Sequence, residues 1–321
     1  MKRSLVTGAT GFIGRALCKS LYERGDEVVA ISLHGGTLSP QLTVQALDLS
    51  SKELLDPSLL RDVDCVYHLA GIAHQSANLE TYQAVNVRAT LELAAAASEA
   101  GVRQFIFLSS VKAMGSKITD STRAEADVSE IAADVDPYGW SKQHAEQQLL
   151  ANFSAGAMRI HIVRPALVYG PGVKGNLATL MRASRFSLGR PPSGGLRSMI
   201  ALPDLVALLM QLEHSTSPGI HTCIAADNEQ YSARRLYDAL RSAQNLAPTT
   251  MTLPGVVWRI MCRLRDLREG AVGGSTWRKL SGTELYSNQK LADELRFIPR
   301  LQFEDVATSI VEYEKVHGEG K

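Results

Sequence analysis

Cysteine is scarce in this chain of 321 residues: Cys18, Cys65, Cys223 and Cys262 are scattered, with no CxxC pair. Histidines never cluster at metal-ligand spacing, so neither a disulfide framework nor a metal site is indicated, and buried thiols in a reducing cytoplasm are expected. No apolar run approaches the length of a bilayer span, so no membrane span is expected. The apolar residues after Lys2 and Arg3 are broken by Gly8 and Gly11, which disfavours a signal-peptide core. Charge of one sign is lacking too, with 34 Lys and Arg against 33 Asp and Glu. Such a balance offers no attraction to nucleic acid or to a charged surface and leaves a small molecule as the expected partner. Internal repeats and low-complexity tracts are absent.

What is present is organised around RSLVTGATGFIGRALCKSLYERG, Arg3 to Gly25. It reads as a short strand (Leu5, Val6), a glycine-spaced turn (Gly8, Gly11, Gly14) and a helix whose apolar face runs from Phe12 through Leu17 to Leu21. In such a turn one glycine permits the tight bend, one lets a pyrophosphate approach the backbone, and one lets helix and strand pack closely. The helix N-terminus then offers N–H groups and a partial positive charge to an anion.

Further strands are predicted at Glu27–Ser32, Thr43–Leu47, Asp64–Ala70, Arg103–Ser110 and Arg159–Pro165. A long alanine-rich helix from about Leu79 to Ala100 stops at Gly101, and another begins with Asp136 as N-cap and Pro137 at its first position. Strands alternating with helices imply an α/β fold, a doubly wound parallel sheet covered on both faces, with ligands outside the carboxyl ends of its strands. Gly8, Ser32, Asp48, Gly71, Ser110 and Arg164 all fall at those ends. The length suits one large or two unequal domains. Residues 1–170 are read as a dinucleotide-binding domain and 171–321 as a smaller substrate lobe, with a segment near 197–230, including His221–Asp227 as a strand, returning to the main sheet. The helix Val256–Arg268 has apolar residues at helical spacing beside several arginines and is expected to pack within the second lobe rather than dock on a surface.

Tyr138 and Lys142 stand four apart in YGWSK, on one face of a helix. A free phenol titrates near 10, and a neighbouring ammonium favours the phenolate, so the pair can shuttle a proton near neutrality. Ser110 can hold a substrate oxygen near Tyr138.

TGATGFIG, HLAG (His68 to Gly71), NV (Asn86, Val87), FLSS (Phe107 to Ser110), YGWSK and RPALVYGPG (Arg164 to Gly172) together resemble the extended short-chain dehydrogenases/reductases of the NAD-dependent epimerase/dehydratase family that act on nucleotide sugars. The resemblance covers nearly the whole chain and is densest to about Gly175. It implies a Rossmann-like domain with Ser110, Tyr138 and Lys142 as the catalytic triad. It also implies NAD(P) contacts from Gly8, Gly11, Phe12, Ile13, Gly14, Ser32, Asp48, Leu49, Leu69, Ala70, Gly71, Asn86, Tyr138, Lys142 and Pro165, and a homodimer through the Tyr138 helix and the alanine-rich helix. VYGPGVKGN and GLRSMIALPDL resemble a narrower branch, the epimerase-like reductases of bacterial surface-polysaccharide synthesis. By that resemblance Asn176 and Arg197 contact the nucleotide diphosphate. The residues themselves allow it, since Asn176 can cap the helix NLATLMRA and Arg197 can bridge phosphates. Arg278 is a further candidate for the phosphate site.

Two departures from the family pattern bear on chemistry. Where NAD-binding relatives carry Asp at the end of the second strand, this chain has Ser32, followed by Leu33 and His34; losing the acid removes repulsion toward a 2′-phosphate, yet no arginine stands nearby in sequence to bind one unless Arg15 or His34 reaches it. NAD and NADP both stay open. Asp48 matches a position that meets the adenine amino group and is equally an ordinary turn former. The dehydratases' Thr-Asp-Glu run is replaced by Ser110, Val111 and Lys112, which argues against dehydration. The preferred reading is hydride transfer at C4 of a UDP-linked sugar by a UDP-4-keto-6-deoxy-N-acetylhexosamine 4-reductase. A UDP-sugar 4-epimerase is the alternative, ahead of a dehydrogenase of a hydrophobic alcohol and of a non-catalytic NAD(P)-binding protein.

Overall fold

The central strands of the main sheet are buried on both faces, sandwiched between two layers of helix. The computed structural model describes residues 1–51, 56–73, 77–115, 121–185, 190–249, 254–268, 276–277 and 281–317. In it β1 (Arg3–Thr7) pairs in parallel with β2 (Glu27–Ser32) on one side and β5 (Cys65–His68) on the other. Beyond β5 lie β6 (Gln104–Leu108), β7 (Arg159–Pro165) and β10 (Ile220–Ala225), all parallel. Beyond β2 lies β4 (Leu42–Ala46), and β3 (Gly36–Ser39) closes that edge antiparallel to it. The order in this eight-stranded sheet is β10-β7-β6-β5-β1-β2-β4-β3.

The period of two in strand side chains sorts the core. Val6, Tyr67, Ile106 and Val163 pack on the side of α1 (Phe12–Glu23) and α6 (Leu202–Leu212). Leu5, Val66, Phe105, Phe107, Ile160 and Ile162 pack on the side of α3 (Ala89–Glu99) and α4 (Pro137–Phe153).

Three predicted elements differ from what forms. β3 was not expected; Gly35 and Gly36, at φ +62° and +137°, let the chain reverse straight after β2. The predicted strands at 64–70 and 103–110 are shorter, because their ends turn into the loops that carry the site. The alanine-rich helix is interrupted: α2 (Leu79–Tyr82) is followed by a π-helical turn, Gln83–Arg88, before α3 begins. That wider turn buries Asn86 completely, and π-bulges of this kind recur at functional sites.

After β7 the chain builds a second, three-stranded sheet from β8 (Leu167–Tyr169), β9 (Leu196–Ala201) and β11 (Gln230–Ser232). Between β9 and β11 it goes back to the main sheet through α6 and β10. The small sheet is covered by α5 (Asn176–Arg185), α7 (Ala233–Ala243) and a last helix, Phe303–His317, over a core of Tyr169, Tyr231 and Phe303. Both tyrosine hydroxyls donate to Asp227 at 2.9 Å, and burial pushes that carboxyl up to about 6. Against expectation, α8 (Gly255–Arg268) leaves most of its apolar residues in solvent.

All four cysteines are buried and unpaired, with burial pushing the Cys18 and Cys223 thiols up to about 12. Among the described residues no helix is long and apolar enough to cross a membrane, and no group of side chains is arranged to hold a metal ion.

Arg164, at the end of β7, does not face a ligand. Its guanidinium is spent on Glu146 of α4, with Nε at 3.0 Å and Nη2 at 2.6 Å, and on the Glu125 carbonyl at 2.9 Å. Removing one partner of a buried pair strands the other charge. Arg164→Met is therefore expected to lower the unfolding free energy by about 3 kcal/mol, and Glu146→Leu/Arg164→Met to recover most of that loss, read from denaturant midpoints.

Candidate active site

The glycine turn forms as its spacing demands. Gly8 has φ +68°, and a Cβ there would lie 2.8 Å from the Ala70 nitrogen, so only glycine lets this loop abut the one after β5. Gly11 is the N-cap of α1 and supplies no side-chain cap, so the helix end presents backbone N–H groups. A Cβ on Gly14 would collide with the Gly8 carbonyl, which is how closely the helix approaches the strand. A cradle that any side chain would fill, ending on an uncapped helix N-terminus, fits a dinucleotide pyrophosphate. Phe12 and Ile13 open α1 half-buried, and Leu69, Ala70 and Gly71 form the facing wall.

At the far side of the cradle Ser32 is buried, its hydroxyl donating to the Gly35 carbonyl at 3.3 Å. Arg15 is exposed and anchored through Nε to the Thr10 carbonyl at 2.8 Å, in a loop whose Thr10 lies against Gly36 just beyond β2. Asp48 is exposed and accepts from the Ser50 amide at 2.8 Å and hydroxyl at 2.7 Å, which lower its pKa; it makes the turn before Leu49.

On the other side of β1 a buried hydrogen-bond chain connects the cradle to α4. The Ala70 amide donates to Thr7 Oγ1 at 3.1 Å, Thr7 Oγ1 meets His68 Nδ1 at 2.8 Å, and His68 Nε2 meets Thr90 Oγ1 at 2.8 Å. Thr90 spends its own proton on the Asn86 carbonyl at 2.8 Å. It must therefore accept from Nε2–H, which leaves Nδ1 to accept from Thr7. Burial first, and the Lys142 charge second, push the imidazole down to about 3, so it stays neutral. Asn86 clamps Ile72 from both sides, accepting its amide at 2.9 Å and donating to its carbonyl at 3.0 Å. It also donates to Ser141 Oγ at 2.9 Å, and Ser141 donates to the Tyr138 carbonyl at 2.8 Å.

Asp136 caps α4, accepting from the Gly139 amide at 2.9 Å, and Pro137 opens it, as the sequence predicts. This start places Tyr138 and Lys142 at the ends of β5 and β6. Ser110 follows β6 and caps a short 3₁₀ turn, Val111–Met114, accepting from the Lys112 amide at 3.1 Å. Its hydroxyl lies close enough to the Tyr138 phenol to favour the ionised form. Burial raises the phenol's pKa, the Ser110 hydroxyl pulls it back, and the Asp136 carboxylate raises it further. This reverses the expectation that Lys142 brings the phenol toward neutrality. The Lys142 amino group instead donates to the Leu108 carbonyl at 2.9 Å, sits 4.6 Å from the centre of the Phe107 ring, and borders Gly71. Burial pushes it down to about 8, with Glu146 one turn along α4 opposing.

Pro165 ends β7 in a buried position paired with Ala225. Asn176 is not a cap; it is exposed at the first position of α5, and Gly175, with φ +74°, stands before it and accepts from the Thr179 amide at 3.1 Å. Arg197 lies on β9 with Nη1 3.7 Å from Glu284, and Lys112 reaches the same carboxylate at 3.4 Å, so two cations converge there. Arg278 lies outside the described residues. Thr7, Thr90, Ser141 and Glu146 were not singled out from sequence. Only Thr7, at the head of TGATGFIG, and Ser141, inside YGWSK, carried a local signal.

A parallel sheet with this cradle and a tyrosine, serine and lysine at its edge defines a nucleotide-binding oxidoreductase. Residues 4–188 match the model of the NAD dependent epimerase/dehydratase family, and the chain belongs to that family. It is an NAD(P)-dependent enzyme. A UDP-glucose 4-epimerase of Vibrio cholerae is 32% identical over 268 residues, 80% of each chain. A 2-alkyl-3-oxoalkanoate reductase of Stenotrophomonas maltophilia is 31% identical over 180 residues, 52% of this chain and 51% of that one. Among solved structures, the UDP-glucuronic acid 4-epimerase of Bacillus cereus in complex with NAD aligns with TM-score 0.77 at 21% identity, covering 98% of this chain and 99% of that one.

Two outcomes follow from this geometry. Lys142 titrates at about 8 when folded against an ordinary 10.5, so between those values the unfolded chain binds more protons and this group makes stability rise with pH. Lys142→Met should remove up to about 3 kcal/mol of that rise, measured by denaturant unfolding across the alkaline range. Ser32→Asp should lower the affinity for NADPH relative to NADH by about tenfold or more in fluorescence titrations, because a carboxylate at the end of β2 repels a 2′-phosphate.

Proposed function

We propose that this enzyme is a C4 epimerase of a UDP-linked sugar. The observation that carries the chemistry is the meeting of Ser110 and Tyr138 at the mouth of the glycine cradle, with the buried Lys142 amino group one helical turn from Tyr138. Bound NAD(P) supplies a hydride acceptor and donor. The chain's own residues handle the proton and the orientation. Tyr138 takes the proton of the sugar 4-hydroxyl as the ketone forms and returns it when C4 is reduced from the opposite face. Ser110 holds the same oxygen by hydrogen bond throughout. Lys142, with its buried amino group on the Leu108 carbonyl and beside Gly71, would hold the cofactor's ribose.

Lys112 and Arg197 answer the diphosphate, with Glu284 giving way to it. Their convergence within reach of the Ser110 turn speaks against a hydrophobic alcohol as substrate. The same site serves a 4-keto reductase, the second reading, since both reactions need Tyr138, Ser110 and Lys142. The likeness to the Vibrio cholerae 4-epimerase over most of both chains supports epimerisation, whereas the motifs VYGPGVKGN and GLRSMIALPDL favour reduction. A homodimer through the α3 and α4 surface belongs to the same proposal.

The test is to follow UDP-glucose and UDP-N-acetylglucosamine for conversion to their C4 epimers with no net change in the near-ultraviolet absorbance of NAD(P)H. Stoichiometric loss of that absorbance on adding UDP-4-keto-6-deoxy-N-acetylglucosamine, without epimerisation, would establish the reductase instead. In either case Tyr138→Phe should cut turnover by about 10²–10⁴-fold while cofactor still binds.

A further inference from the structure

The helix α8 (Gly255–Arg268) is amphipathic in the wrong sense for a packed helix. Val256, Val257, Ile260, Met261, Leu264 and Leu267 are exposed, Leu264 at 61% and Leu267 at 72%. At 3.6 residues per turn these six project within an arc of about 140°. Cys262 and Asp266, both buried, mark the opposite side by which the helix is attached. Exposed Arg259 and Arg263 border the apolar arc along one flank. The Arg259 guanidinium lies 5.0 Å over the Trp277 ring, which holds it at that border. The only acid in the helix, Asp266, is turned inward and accepts from the Thr276 amide at 3.1 Å. Among the described residues the other exposed large apolar side chains, such as Leu33, Val135 and Ile298, do not form a stripe of this length.

We propose that α8 is a docking element for an anionic lipid surface. It would lie in the plane of the interface with its six apolar side chains among the acyl chains and Arg259 and Arg263 at the phosphates. An interfacial helix needs a broad apolar arc, basic residues at its border and no acid facing the membrane, and all of these hold here. Charge decides against a second copy of the chain as the occupant. The face carries no acid, so a two-fold contact through this stripe would gather flanking arginines with nothing on the face to answer them. The inference is independent of the reaction at the sheet edge.

Co-sedimentation with phosphatidylglycerol–phosphatidylcholine vesicles, and with phosphatidylcholine alone, tests it on the full chain. Binding to the anionic vesicles and not to the neutral ones is expected, with Leu264→Glu abolishing it and Arg263→Gln weakening it about fivefold. Leu264 is exposed, so its variant should keep the parent thermal transition; were it to misfold, Ile260→Glu and Arg263→Gln carry the same test. Sedimentation with neither vesicle, or equally with both, would overturn the proposal. So would a dimer that Leu264→Glu converts to monomer, which would assign the stripe to a second copy.

Discussion

The arrangement at the sheet edge depends on how one buried ammonium is accommodated. Lys142 is 4% exposed, and an amino group taken so far from water must either lose its proton or be surrounded by groups that favour the charge. Here the Leu108 carbonyl accepts from it, the Phe107 ring lies beside it, and Glu146 supplies a negative charge one turn further along α4. Glu146 is in turn neutralised by Arg164 and hydrogen-bonded by Ser109. The result is a charge poised close to neutrality in a fold that pins it from β6, α4 and β7 at once.

The same helix is held from its other side by neutral groups. From the Ala70 amide to the Tyr138 carbonyl, hydrogen bonds pass through Thr7, His68, Thr90, Asn86 and Ser141 without a titrating member. His68 cannot protonate in the physiological range, so the chain keeps one direction and the glycine cradle keeps one position relative to Tyr138. The glycine cradle and the helix that carries Tyr138 are thus fixed to each other through the sheet. Catalysis by orientation requires this kind of rigidity.

Much of this was legible before the fold was known. Gly8, Gly11 and Gly14 form the cradle their spacing implied, and the cap at Asp136 with Pro137 started α4 where expected. Asn176, read as a cap, is displaced from that role by Gly175, whose positive φ suits the turn better. The π-helical turn around Asn86 left no trace in an alanine-rich stretch that any propensity scale reads as continuous helix. The exposed stripe of α8 was misread for a related reason: periodicity says that a helix has an apolar face, and says nothing about what lies against it.

By itself, then, the sequence determined the alternation of parallel strands and helices up to β7, the glycine turn and the residue types at the sheet edge, because these follow from local spacing and backbone preference. Only the tertiary structure decided the protonation environment. Whether burial or a neighbouring charge governs Tyr138, which carboxylate meets Arg164 and which atom accepts from Lys142 all depend on residues far apart in the chain, brought together when the sheet closes.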